Sequence, residues 1–493
     1  NKVVAKRIFE NSGDYFVKPF TINFGLDSAA THLQLNVSPG TAVVDGYRAS
    51  RDYPTTIRVK KSIETTTINN DVVGIDFGNY VFVNNATSLD EVSFGIPNIN
   101  VFEKLDLKDN NDYTGNTIGT ARVKAINEDG TKLRYHLFDV KMNSGSAFRN
   151  VKSIGTSVTN YFEPILENSK AVLKETSKNT SIFPLPRRRP QGLTDISFAV
   201  QRRFATTSNG SGVAALSLTD ATETFVNTGD WVIGTDSDIY LDASISAAGT
   251  QSSTLTGLPT SQAIEVLAYV NKSAATSRQK LLATNSITVS IDSDGLGQQF
   301  LPLNKADIFD VEQVVKSGDS GISYLNRFTV DDGQRDNHYA LGRLLLKGGQ
   351  SAPAGGIFIR YRHFNHTNDG DFFAVNSYNA QVPYDQIPSY RFSNGTSVKL
   401  HDVLDFRSVM DSAGEFSNAS KGAIVHELPQ PTSVVTADIT YHLAKAGKLV
   451  IDRDGIIRFN VGAAGFNPIT PNKPDGTLGL YDVRLNANTL NDS

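Results

Sequence analysis

Cysteine is absent from the 493 residues, so the chain can build no disulfide framework, thiolate metal site or cysteine nucleophile. Charge is also scarce. Only 20% of residues carry it, 47 basic against 51 acidic, for a formal net of -4. That near-balance lacks the strongly basic field that nucleic-acid binding needs, and neither DNA nor RNA is expected as a main partner. No apolar stretch approaches the length of a membrane span, and no signal-like apolar run opens the sequence, so no membrane partner is expected either. Hydrophobic residues make up 39%, below the usual globular share, and tryptophan occurs once. The deficit is filled by Asn, Ser, Thr, Asp and Gly, the residues of turns and strand surfaces.

What is present is short alternation bounded by turns. Phe20 to Phe24 and Leu33 to Val37 alternate apolar with polar, which puts successive side chains on opposite faces of a half-buried strand. Thr120 to Ile126, the turn Glu128-Asp129-Gly130, and Lys132 to Phe138 read as a hairpin. Lys448 to Asp452, Asp454-Gly455 and Ile456 to Phe459 read as another. The expected fold is therefore mainly β, several small β-sandwich or β-barrel-like modules with few short helices. Helices are expected around Tyr161 to Thr176 and within Asp307 to Lys316.

A chain this long exceeds one core. The expected division is an N-terminal β module over 1–60, a second over 61–160 and a connector over 161–196. An immunoglobulin-like sandwich over 197–300 follows, with Trp231 in its core, then a β domain over 301–423 and a C-terminal β module over 424–493. Within the connector, Phe183-Pro184-Leu185-Pro186 and Arg187-Arg188-Arg189-Pro190 cannot form a central strand, because proline lacks the N–H a ladder needs. The three arginines are read as solvated or paired rather than as a phosphate patch. Asn1 in place of Met suggests one part of a longer or processed protein.

The chain carries no Gly-x-Ser-x-Gly elbow, phosphate loop or His-Glu-x-x-His helix. Two constellations remain. His363 and His366 with Asp369 and Asp371 have metal-ligand chemistry without a metal-ligand spacing, and read better as a strand from Ile357 to Phe364 ending in a turn. The run Asp331 to Tyr339 has oxygen ligands enough for Ca²⁺, but Arg335 interrupts the EF-hand pattern. The favoured reading is a loop in which aspartates cap backbone N–H groups and Arg335 forks onto a carboxylate. Asp405 and Arg407 share a face if extended, as a buried or inter-subunit ion pair would. Tyr378, Tyr384, Tyr390 and Phe392 form either a sugar-stacking platform or core. No catalytic, cofactor-binding or metal-ligating residue is assigned, and no cofactor is expected.

The stretch Phe328-Thr329-Val330-Asp331-Asp332-Gly333-Gln334-Arg335-Asp336-Asn337-His338-Tyr339 resembles a signature of tailed-phage virion structural proteins of undefined function. Gly370 to Phe373 through Ile387 to Tyr390, Asp402 to Arg407, Lys448 to Gly455, Ser38 to Tyr47 and Ile118 to Val123 are similar to further segments of that family. The resemblance spans nearly the whole chain. It implies a non-enzymatic scaffold or adaptor in a tail fibre or baseplate, located in the virion and expected as a homotrimer bound to other tail or baseplate proteins. The alternative is a carbohydrate-binding or depolymerising receptor-binding tail protein with a host-surface glycan as partner. A bacterial surface adhesin is a third reading.

Overall fold

A computed structural model describes residues 2–28, 31–75, 80–85, 99, 103–129, 132–165, 180–235, 243–246, 249–367, 370–378, 382–414, 416, 427–430 and 433–488. It is mainly β, with 57% of residues in strands against 7% helical, arranged as many small sheets. The fold class is as expected. Contacts gather the chain into two units that are discontinuous in sequence.

The first unit takes residues 1–68, 187–192 and 439–493. Strands from both ends of the chain share one core: Leu33, Leu35, Val37 and Val59 pack in a cluster with Leu449, Ile451, Val483 and Leu485. Strand His32–Val37 alternates between half-buried and buried, as its pattern dictates. Lys445–Asp452 pairs with Ile457–Val461 in the expected Asp-Gly hairpin, and also with Thr477–Leu485. The α-helix among the described residues, Lys2–Ser12, was not expected. Its closing stretch, Asn11-Ser12-Gly13-Asp14, has the composition of a turn between strands. Gly13 ends the helix in the left-handed region at φ +61° and donates its N–H to the Phe9 carbonyl at 2.8 Å.

The second unit takes residues 69–186 and 193–438. Thr117–Asp129 and Lys132–Met142 form the expected long hairpin inside a seven-stranded sheet. Trp231 is buried, its Nε1 donating to the Val226 carbonyl at 2.9 Å. Most of the helix expected over 161–176 lies outside the described residues, and its first residues belong to strands Asn160–Phe162 and Pro164–Ile165. Two four-stranded sheets pack together around Leu301, Leu303, Val314, Phe328, Leu344, Ile357, Ile359 and Tyr361.

The helix expected within Asp307 to Lys316 is instead a strand, Ile308–Lys316, paired with Ile357–Thr367. Its register shifts twice, between Ile308 and Asp310 and between Val311 and Gln313. Each bulge inserts a residue, so Ile308, Val311 and Val314 recur at a spacing of three and imitate helical periodicity.

Candidate functional site

Strand Gln279–Val289 pairs along its whole length with Ile357–Thr367, placing Lys280 opposite His366, while Ile308–Lys316 flanks the other side of that central strand. Asp307 precedes Ile308–Lys316 at φ +54°, a left-handed conformation that aspartate tolerates better than most residues. Lys280 and Asp307 thus approach from opposite sides of the central strand.

The run Asp331 to Tyr339 folds as the structural loop expected for it. Asp331 takes the Arg335 guanidinium as a two-bond fork, 2.8 Å on each arm, and accepts the Gly333 N–H at 3.2 Å. Asp332 accepts the Gln334 N–H at 2.9 Å. His338–Tyr339 then runs parallel to Ser408–Val409. The intervening Val403–Asp405 pairs with Ile182–Pro184, and Asp405 exchanges backbone hydrogen bonds with Phe373. Three segments singled out in the sequence, 328–339, 370–373 and 402–407, therefore close on one place.

That place is a buried polar network. Lys280 Nζ donates to Asp307 Oδ2 at 2.6 Å and to the Tyr339 hydroxyl at 2.9 Å. Tyr339 donates in turn to Asp405 Oδ2 at 2.5 Å. Arg407 holds the Asp405 carboxylate through Nε and Nη2, and its Nη2 also donates to Tyr339 at 2.7 Å. Gln334 bridges the two halves, its oxygen accepting from Arg407 and its Nε2 donating to Asp307 Oδ1 at 3.3 Å. His366 Nε2 lies 2.9 Å from Asp307 Oδ2. Lys280 and Arg407 are 0% exposed, Asp307 1% and Asp405 2%. Rings of Tyr339, Phe373, Tyr378 and Phe364 surround the Lys280 ammonium at 4.4 to 5.5 Å.

Burial sets the ionisation here. It pulls the Lys280 ammonium below the ordinary lysine range, against the opposing pull of Asp307 and Asp405. Burial alone would raise Asp307, but the charges of Lys280 and His366 and their hydrogen bonds hold its carboxyl well below the usual carboxylate range. Asp405 is lowered in the same way by Arg407. Burial pushes His366 down to about 4 and the hydroxyls of Tyr339 and Tyr378 well above theirs.

A second network, of which only Asp371 belongs to a segment singled out in the sequence, lies in the same unit. Arg202 forks onto Glu223 at 2.8 Å on both arms and binds Glu427, and Lys272 reaches Glu427 at 3.0 Å and Asp371. Its one sequence signal is charge close behind an apolar run: Arg202 after Phe198-Ala199-Val200 within Pro190–Thr207, and Lys272 after Val266 to Val270 within Ala263–Ala275.

The strand expected to end at Phe364 continues to Thr367, so His363 and His366, three apart in extended chain, fall on opposite faces. His363 shares the buried face of Ile357, Ile359 and Tyr361, as alternation predicts, while His366 turns to Asp307. Asp369 lies outside the described residues and Asp371 belongs to Lys272. Among the described residues, no group of three or more His, Cys, Asp or Glu is placed to hold a metal ion. Nor is any of their helices long and apolar enough to cross a membrane.

The aromatic set does not make one exposed platform. Tyr378 and Tyr390 are buried, Phe392 packs edge-on to Tyr390, and Tyr384 stacks on His401. An open cleft of about 330 Å³ lies among Phe300, Pro302, Arg335, Leu341 and Arg343. Both of its arginines bind Asp331. A glycosidase requires two carboxyl groups facing a water-filled groove, and the acids of the main network are instead sealed from solvent.

Comparison with family models, with curated proteins and with solved structures finds no match to this chain.

Proposed function

We propose that the chain is a structural part of a tailed-phage virion, a scaffold or adaptor in the tail fibre or baseplate. The observation that carries this reading is the use made of the segments resembling the phage family. Their charged side chains lock loops to one another inside the protein, through Asp331 with Arg335 and Asp405 with Arg407. A mainly β chain of small sheets suits that role, because it presents strand edges and loops to neighbours without needing a reaction centre. A homotrimer in contact with other tail proteins completes the proposal.

Size-exclusion chromatography with light scattering, at low and high salt, tests the assembly, with a salt-resistant trimer expected. A monomer at micromolar concentration would overturn the trimer. Immunogold electron microscopy of particles whose genome encodes the chain tests its location. Label on the tail is expected, and particles without label would sink the virion reading.

A further inference from the structure

We propose that Lys280 and Asp307 condense to an intramolecular isopeptide bond, which staples two strands of the second unit across the strand between them. Four observations converge on this bond. The amine nitrogen lies 2.6 Å from a carboxylate oxygen of Asp307, with both groups sealed from water, so the reactants are already held together in one orientation. The nitrogen has no contact with solvent, and burial outweighs the pull of the neighbouring acids and favours the neutral amine, the form that attacks a carbonyl. A route for its proton is in place, since Tyr339 accepts from Lys280 and donates to Asp405. Both oxygens of Asp307 carry further partners: Gln334 Nε2 at Oδ1 and His366 Nε2 at Oδ2.

The step balances without any co-reactant. Lys280 passes one proton to Asp307 Oδ2, 2.6 Å away, and the free amine attacks Cγ of the carboxyl so neutralised. Negative charge gathers on Oδ1, where the Gln334 amide stabilises it. The Nζ–Cγ bond forms, a second proton leaves Nζ through Tyr339 toward Asp405, and that proton is returned to the Oδ2 hydroxyl as the Cγ–Oδ2 bond breaks. The two protons that Nζ surrenders leave with Oδ2 as one water, and Tyr339 and Asp405 return to their starting states. Positive and negative charge disappear together from an interior where both were costly to hold.

Lys272 with Asp371 supplies an internal contrast. That lysine also meets an aspartate, but it faces Glu427 and Glu223 as well, and its pKa is raised despite burial, by Glu427 and then Asp371. Several acids hold its proton, and no condensation is expected there.

Intact-mass spectrometry of the denatured full chain reads the bond directly. The expected mass is that of the sequence less one water. Tryptic mapping should show no cleavage after Lys280 and one branched peptide containing Lys280 and Asp307. Lys280→Met should restore the full sequence mass. Asp307→Asn, which keeps the shape of the side chain, should lose one ammonia in place of water, and this second variant keeps the test open if the first does not fold. A folded wild-type chain with the full sequence mass overturns the proposal, and so does a lost water that maps to any other residue pair.

Discussion

Arg407 holds Asp405, two residues behind it, by Nε to one carboxylate oxygen at 2.9 Å and Nη2 to the other at 2.7 Å, with both side chains removed from solvent. Two residues apart in extended chain, the pair shares a face, and the Arg407 N–H also donates to Asp405 Oδ1 at 3.0 Å. Replacing the arginine by a side chain of similar length would leave the carboxylate buried with only Tyr339 and the backbone N–H of position 407 donating to it. Arg407→Met should therefore destabilise the second unit by about 3–5 kcal/mol. Chemical denaturation followed by the fluorescence of Trp231, which lies in the same unit, measures this. An unchanged midpoint would show that Asp405 does not depend on the arginine.

Glu427 links stability to pH. Burial would raise its pKa, but hydrogen bonds and charge from Arg202 and Lys272 outweigh that and hold it at about 2, against 4.5 for an ordinary glutamate. Between those two values the unfolded chain binds the proton and the folded chain does not. The contribution is therefore complete above about pH 4.5 and is lost as pH falls toward 2. Thermal midpoints recorded from about pH 6 down to about pH 2.5 should decline, and Glu427→Gln should decline less steeply over that range. Parallel curves for the two proteins would contradict the assignment.

Gly333 tests the loop that carries the signature-like stretch. It sits at φ +82°, and a Cβ there would lie 2.1 Å from the carbonyl oxygen of Ala340, between the strands His338–Tyr339 and Leu341–Leu346. Gly333→Ala should cost about 1–3 kcal/mol through backbone conformation alone, and more through the clash. Hydrogen exchange should show faster exchange at the Ala340 amide, which donates to the Gly333 carbonyl at 2.7 Å in the native fold. Unaltered protection there would mean that the loop absorbs the substitution elsewhere.

Local chemistry was legible in the sequence where local chemistry decides the structure. Asp454-Gly455 marks a hairpin because glycine alone takes φ +77° without strain, and the strands on either side alternate around it. Arg335 was readable as a fork onto a carboxylate, and the structure gives it Asp331, four residues away. The Lys2–Ser12 helix was missed because its end, Ser12-Gly13, has the same composition as a turn between strands. Ile308–Lys316 was misread because its bulges follow from the strand it pairs with, and no residue inside it announces them.

The sequence by itself determined that this is a cysteine-free β protein punctuated by hairpins, since turn residues and alternation act over a few neighbours. Only the tertiary structure decided that Lys280 meets Asp307 27 positions away and Tyr339 59 positions away, and that Tyr339 meets Asp405 66 positions away. It also decided that strands from the two ends of the chain share one core. Such partners carry no mutual signal in one sequence, because a buried charge specifies that it needs a counter-charge and says nothing about where along the chain that counter-charge lies.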